Sequence, residues 1–237
     1  MTKTIYLYDS YAKDCDAIVQ LIDGKFIILD QTVFFARGGG QPGDTGKIVR
    51  VGDNVEFTVL SVGKKDGVIA HEADKDGLAI GDKVKCSINW DRRYRLMRIH
   101  TATHILAAIM HKEEGVLISG NELGEDKARV DFNLVDVTKE KIEAYIVKTN
   151  DALKRNLDIK TYFLPRAEAL ALPGAVKLLA ALPPNITELR IVEIGDVDRQ
   201  IDGGTHVKNT SEVGEIELIR IDNKGASNRR VYFKLKD

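Results

Sequence analysis

The feature that most restricts the fold of this chain is a change of pattern close to Trp90. Before it, TIYLYD, AIVQLIDG, KFIILDQTVFF, GKIVRV, NVEFTVLSV, GVIAHEA and KVKCSINW are short, rich in Val, Ile, Phe and Tyr, and separated by Gly, Asp and Asn. Such runs predict antiparallel strands forming a small barrel or sandwich rather than a βαβ fold. AIGDKV (79–84) reads as a turn leading into one of these strands. After the change, DRRYRLMRIHTATHILAAIMHK (91–112) contains neither Gly nor Pro and is rich in helix formers. Asp91 is the expected N-cap of one long helix, and Gly115 lies just past its end. A strand pair (GVLIS, ARVDFNL) follows, then a helix over 138–157 with an acidic start. Beyond it come a strand (IKTYFL), a short helical piece over 166–172, a proline-containing loop at 182–185, and the strands ELRIVEIG, DVDRQID, EIELIRID and RRVYFKLK. The expected class is α+β, with a β-barrel domain over residues 1–90 and an α+β domain over 91–237, its helices on one face of a mainly antiparallel sheet.

Composition removes several classes of function. Of 237 residues 43% are hydrophobic and 30% charged, the balance of a soluble globular chain with an ordinary core. No run approaches the ~18–20 apolar residues that span a bilayer, and MTKTIYLYDSYAKD lacks the apolar stretch of a secretory signal. Cys15 and Cys86 are far apart with no CxxC, which argues against a disulfide framework or a thiolate zinc site and for a reducing, cytoplasmic setting. The net charge of −1 gives no global attraction to nucleic acid, so any such contact must come from local patches. Two are candidates: Arg92, Arg93, Arg95 and Arg98 at one helix end, and Lys224, Arg229, Arg230, Lys234 and Lys236 near the C-terminus. Each either tracks phosphates or is an ordinary solvated, salt-bridged face.

His100 and His104 stand four apart in HTATH, so a helix places both imidazoles on one face, one turn apart, where they can chelate one ion. The metalloprotease helix with this spacing carries Glu directly after the first His; here that residue is Thr101, which disfavours a protease. His111 shares the face but lies about 10 Å further along the axis, beyond the reach of ~2.1 Å bonds to the same ion. A third ligand must come from His71 or His206. His71 sits in the unremarkable VIAHEAD, whereas His206 follows paired glycines in RQIDGGTHVKNTSEVG, a turn suited to presenting a ligand. Three protein ligands with a vacant fourth position is the catalytic zinc pattern.

FFARGGGQPGDTG (34–46) contains a literal GxGxxG, but Pro42, Gly46 and the strand-like GKIVRV argue against the helix a dinucleotide site requires. It also lacks the Lys-Ser/Thr ending of a phosphate-binding P-loop. Two readings remain: a plain hairpin loop, or a loop whose bare amides at Gly39 and Gly40 approach a ligand, with Arg37 and Gln41 as polar contacts.

FFARGGGQPGDTG, HTATH and GGTHVKNTSEVG, in that order and over nearly the whole chain, resemble the editing portion of alanyl-tRNA synthetase and the free-standing AlaX proteins, specifically their medium-length type. The resemblance implies a β-barrel followed by the α+β editing domain shared with threonyl-tRNA synthetase. It implies an ATP-independent hydrolase that clears mischarged tRNA(Ala), chiefly Ser-tRNA(Ala), with Gly-tRNA(Ala) as a second substrate, and no nucleotide cofactor. The family's zinc motif, HxxxH with a later CxxxH, maps to His100, His104, Asp202 and His206, with Asp where Cys is common. That carboxylate either ligates the ion or sits behind the ligands. Thr103, beside His104, resembles a family residue at the edge of the amino-acid pocket and is the expected contact for a serine hydroxyl; helix packing is its other reading.

Overall fold

A computed structural model describes residues 2–135, 138–173, 186–225 and 228–236, and the chain divides into two compact units, Met1–Arg95 and Leu96–Asp237. The first unit holds β1 (Lys3–Thr4), β2 (Asp14–Asp23), β3 (Phe26–Leu29), β4 (Gln31–Thr32), β5 (Gly46–Arg50), β6 (Glu56–Lys65), β7 (Val68–Ala73) and β8 (Lys83–Ile88). Six of these close a barrel in the order β2-β3-β7-β6-β5-β8, antiparallel at every seam. Alternation decides what fills it: along β8 Val84, Cys86 and Ile88 point inward while Lys83, Lys85 and Ser87 face out. Val19, Leu29, Val33, Phe34, Ile48, Phe57 and Val59 complete the interior. The expected strand TIYLYD is largely absent. Only Lys3–Thr4 pairs, parallel to β4, and Ile5–Leu7 forms a 3-10 turn that buries Tyr6.

A buried ion pair ties the glycine-rich segment into this unit. The Asp44 carboxylate accepts the Phe35 N–H at 2.7 Å and the Arg93 Nε–H at 3.0 Å; Arg93 also donates to the carbonyls of Ser10 and Val33. Arg93 is 0% and Asp44 1% exposed, so each ion depends on the other for the solvation it has lost.

The helix α1, Trp90–Glu114, begins in the first unit and continues through the start of the second. Its N-cap is Asn89 rather than Asp91. The Asn89 side chain accepts the Arg92 N–H and its carbonyl accepts that of Arg93, leaving Asp91 in the first turn beside the positive end of the helix dipole. Gly115, at φ 67°, donates back to His111 and ends the helix as expected. Leu96, Met97, Ile99, Ala102, Ile105, Leu106 and Met110 are buried around its whole circumference, the mark of a central helix.

The second unit adds β9 (Ile118–Leu123), β10 (Ala128–Phe132), α2 (Lys139–Leu153), β11 (Ile159–Pro165), α3 (Arg166–Ala171), β12 (Glu188–Ile194), β13 (Asp198–Ile201), β14 (Glu215–Asn223) and β15 (Arg229–Lys236). Two antiparallel sheets result, β14-β15-β10-β9 and β11-β12-β13, and α2 packs on β14. Thr138 caps α2 by accepting the Lys141 N–H; the helix stops short of residue 157 because Asn156 adopts a left-handed φ of 58°. The class is the α+β expected, but the strands form two sheets where one was expected. The proline loop at 182–185 lies outside the described residues. No helix among the described residues is long and apolar enough to cross a membrane.

Candidate metal centre

The second unit brings His100 and His104 of α1 against Asp202 and His206, which follow β13. Donor atoms of all four lie within 4.8 Å of one another. Ring centroids are 5.0 Å apart for His100–His104, 4.3 Å for His100–His206 and 4.7 Å for His104–His206, and the three residues are at most 4% exposed. Two ligands ~2.1 Å from a tetrahedral ion are ~3.4 Å apart, so the widest donor pair of the cluster would tighten by up to about 1.4 Å around an ion. The Asp202 carboxylate faces two of the rings, 3.1 Å from His206 Nε2 and 3.7 Å from His100 Nε2.

Glycine makes this approach possible. A Cβ on Gly204 would fall 2.2 Å from His100 Cε1 and 2.5 Å from its Nδ1. The turn is held from within, where Asp202 Oδ2 accepts the Gly204 N–H at 2.6 Å. From β12, the buried Arg190 donates to the carbonyls of Asp202 and Gly204 at 3.1 and 2.9 Å. The ligand-bearing segment is therefore fixed by a cation and a hydrogen-bonded turn, not by a regular element.

Behind the rings, buried polar groups orient them. His104 Nδ1 donates to Asp198 Oδ2 at 2.9 Å, and Thr101 Oγ1 is 3.1 Å from His206 Nδ1. Engaging Nδ1 leaves Nε2 of each ring for an ion, the usual arrangement around metal-binding histidines. Burial drives His206 down to about 4 and His100 well below its ordinary value, so both are neutral imidazoles near pH 7, the ligating form. Burial opposes ionisation of Asp202, but the His100 and His206 rings outweigh it and hold the carboxyl well below its usual range. Three imidazole nitrogens and one carboxylate oxygen can hold a divalent metal ion.

The other residues singled out from sequence fall elsewhere. Thr103, 1% exposed, donates its hydroxyl to the Ile99 carbonyl at 2.9 Å, the back-bond common for helical threonine. His111 bonds to the Val116 carbonyl past the helix end. His71 is buried in the barrel between the Ile27 carbonyl and the Thr32 hydroxyl. In the first unit, Gly38 and Gln41 exchange backbone hydrogen bonds around Gly39 and Gly40, at φ 57° and 84°. This is a two-residue hairpin of the mirror-image type, in which both central residues need the left-handed region. Arg37 is exposed at this hairpin and Gln41 is fully buried. Much of the basic charge has partners: Arg93 with Asp44, Arg230 with Asp131, Lys234 with Glu217 and Lys236 with Glu215, while Arg98 donates to the Val213 carbonyl. Arg93 is thus unavailable to a phosphate.

Sequence reasoning missed Asp198, Thr101 and Arg190. A signal existed for Asp198. In β13 alternate residues Asp198 and Gln200 are buried, and a carboxylate on the inward register close to a ligand histidine is the expected orienting group.

Residues 189–232 match the family described as "Threonyl and Alanyl tRNA synthetase second additional domain", and residues 2–92 match "tRNA synthetases class II (A)". Over the full length of both chains, the protein is 46% identical to the alanyl-tRNA editing protein AlaX-M of Methanosarcina barkeri and 44% identical to that of Saccharolobus solfataricus. It is also 34% identical to an alanine–tRNA ligase of Saccharolobus islandicus, over 93% of this chain and 25% of the ligase. With full-length similarity at this level and a family match that contains the segment from Asp202 to His206, the chain belongs to the AlaX-M family of alanyl-tRNA editing proteins.

Proposed function

We propose that this protein is a metal-dependent ester hydrolase that deacylates mischarged tRNA(Ala), chiefly Ser-tRNA(Ala) and also Gly-tRNA(Ala), in the cytoplasm and without ATP. The observation that carries the reading is the convergence of His100, His104, Asp202 and His206 within 4.8 Å. The residues fit zinc, which takes imidazole nitrogen and carboxylate oxygen readily, and three histidines plus a weakly committed carboxylate leave room for substrate or water. A bound zinc ion supplies Lewis-acid polarisation and a fixed point for orienting the ester. The chain's own groups do the rest. Asp198 and Thr101 hold two of the rings in the ligating tautomer, and Arg190 anchors the segment bearing Asp202 and His206. Asp202 would either complete the ligand set or stand behind the histidines as a hydrogen-bond acceptor for the His206 ring.

The Thr103 hydroxyl donates to the helix and keeps a lone pair that can accept from a serine hydroxyl. A site with such an acceptor disfavours alanine, whose methyl group leaves it unmatched. The hairpin of Arg37, Gly39 and Gly40 is assigned to contacts with the tRNA end, with the buried Gln41 closing it through its backbone bonds to Gly38, and the domains to residues 1–90 and 91–237.

The test is deacylation of Ser-tRNA(Ala) beside Gly-tRNA(Ala) and Ala-tRNA(Ala), with and without chelator and with His104→Ala. The expected result is release of serine and glycine, sparing of Ala-tRNA(Ala), and loss of turnover on chelation that returns with zinc. Undiminished cleavage after complete metal removal refutes the metal mechanism. Peptide cleavage would indicate an amidase, and tRNA binding without turnover that survives His100→Ala would indicate a binding module with a structural ion.

A further inference from the structure

The chain's two cysteines, 71 positions apart in sequence, are directly opposite one another in the barrel: Cys15 of β2 pairs with Cys86 of β8. Residues directly opposed in an antiparallel ladder project to the same side, and here it is the interior. Cys86 is 1% exposed within the barrel core, and Cys15 is half-buried and packed against that core. Backbone hydrogen bonds from Ile88 to Lys13 and from Val19 to Asp82, both 3.0 Å, lie two residues before and four residues after Cys15 along β2. The Cys15–Cys86 pair is therefore one of the hydrogen-bonded pairs, whose Cα atoms stand ~5.5 Å apart. Disulfides span Cα separations of ~4.4–6.8 Å, which includes this pair, but need Cβ atoms ~3.5–4.5 Å apart, and a hydrogen-bonded pair stands at the wide end of ~4.5–5.5 Å, so a bridge draws the two strands together locally by about 1 Å.

We propose that Cys15 and Cys86 form a dithiol oxidation site, closed to an intramolecular disulfide by a small disulfide oxidant such as oxidised glutathione. The partly exposed Cys15 thiolate attacks one sulfur of the oxidant and expels one glutathione thiolate. Cys86 then loses its proton to solvent and attacks Cys15 Sγ in the mixed disulfide, expelling the second glutathione. Two thiols are oxidised by two electrons, one cystine forms, and the oxidant is reduced to two glutathione thiols. The two positions suit unequal roles. A hydrogen bond from Cys86 lowers the Cys15 thiol below its ordinary value, whereas Cys15 and burial push Cys86 up. The reachable sulfur is the nucleophile and the enclosed one resolves the adduct.

The test uses the folded full-length chain incubated with oxidised glutathione and read by intact mass and thiol titration. The expected wild-type product has lost two hydrogens and both titratable thiols, with no retained glutathione, and returns to the starting mass with dithiothreitol. Its thermal midpoint rises by roughly 5 °C, because the bridge closes a long loop of the unfolded chain. Cys86→Ser should stop at the stage of one glutathione on Cys15 and show no rise. The proposal is overturned if the native wild-type chain keeps both thiols, if it accumulates the glutathione adduct, if its disulfide is intermolecular on a non-reducing gel, or if Cys86→Ser shows the same thermal shift.

Discussion

Replacing Gly204 by alanine should damage the metal centre, while the same replacement at Gly203 should not. Neither glycine has a left-handed φ, so neither substitution strains the backbone, and the comparison isolates side-chain space. At Gly203 an added Cβ has nothing within 4 Å. At Gly204 it meets His100 Cε1 at 2.2 Å, where ordinary contact begins at 3.4 Å, so the ring must retreat by about 1.2 Å (3.4 less 2.2). Coordination bonds of ~2.1 Å do not stretch that far, so His100 is lost as a ligand or the loop carrying Asp202 and His206 is pushed away. A loss of ~100-fold in metal affinity follows, about 2.7 kcal/mol, with a comparable fall in deacylation. Competition against a chromophoric chelator measures the affinity directly, and circular dichroism checks that the fold survives. The reasoning fails if Gly204→Ala binds metal like the wild type, or if Gly203→Ala is equally impaired.

Three further outcomes are expected. Asp198→Ala removes the acceptor that orients His104 and should weaken metal binding ~10–100-fold, seen in the same chelator competition, with little change in barrel stability. His71, pushed down to about 4 by burial, is neutral in the folded barrel but protonates in the unfolded chain near 6.5. Its contribution is intact above pH 6.5 and falls by about 2 kcal/mol on going from pH 6.5 to 5, so urea unfolding of His71→Asn should show a shallower acid slope than the wild type. Arg93→Met strands the Asp44 carboxylate inside the first unit and should cost about 3–5 kcal/mol, measured as a shift in its denaturant midpoint; an unchanged midpoint would mean that the pair carries no net stability.

The barrel strands were legible because each is short, β-branched and bounded by turn residues, and the helix because 91–112 offers no residue that would break it. The errors fell at element ends, where several residues can do one job. Asn89 and Asp91 both suit an N-cap, and only the backbone path decides that Asn89 reaches the Arg92 amide. TIYLYD has strand composition, yet burying Tyr6 against Phe35 is met by a single 3-10 turn. At the candidate centre the clustered residues were legible through spacing, since HxxxH fixes two rings on one helix face and the glycines marked His206. Thr101 and Arg190 were not, because orienting a ring requires only one oxygen or carbonyl contact at the right angle, and such residues follow no spacing rule; Asp198 was marked only by its inward register in β13. The opposition of Cys15 and Cys86 was invisible for a similar reason: it depends on which strands close the barrel, and their separation in sequence says nothing of that.

No sulfur stands among the four donors of the centre. Cadmium, mercury and cuprous ions gain most from thiolate, so a nitrogen- and oxygen-only shell offers them little advantage over zinc. Cobalt and nickel also favour imidazole, and against them the shell must rely on geometry and on supply within the cell. With Asp202 where the resembling motif has Cys, a metal held by these four residues would be better protected from thiophilic poisons but more open to competition among the borderline divalent ions.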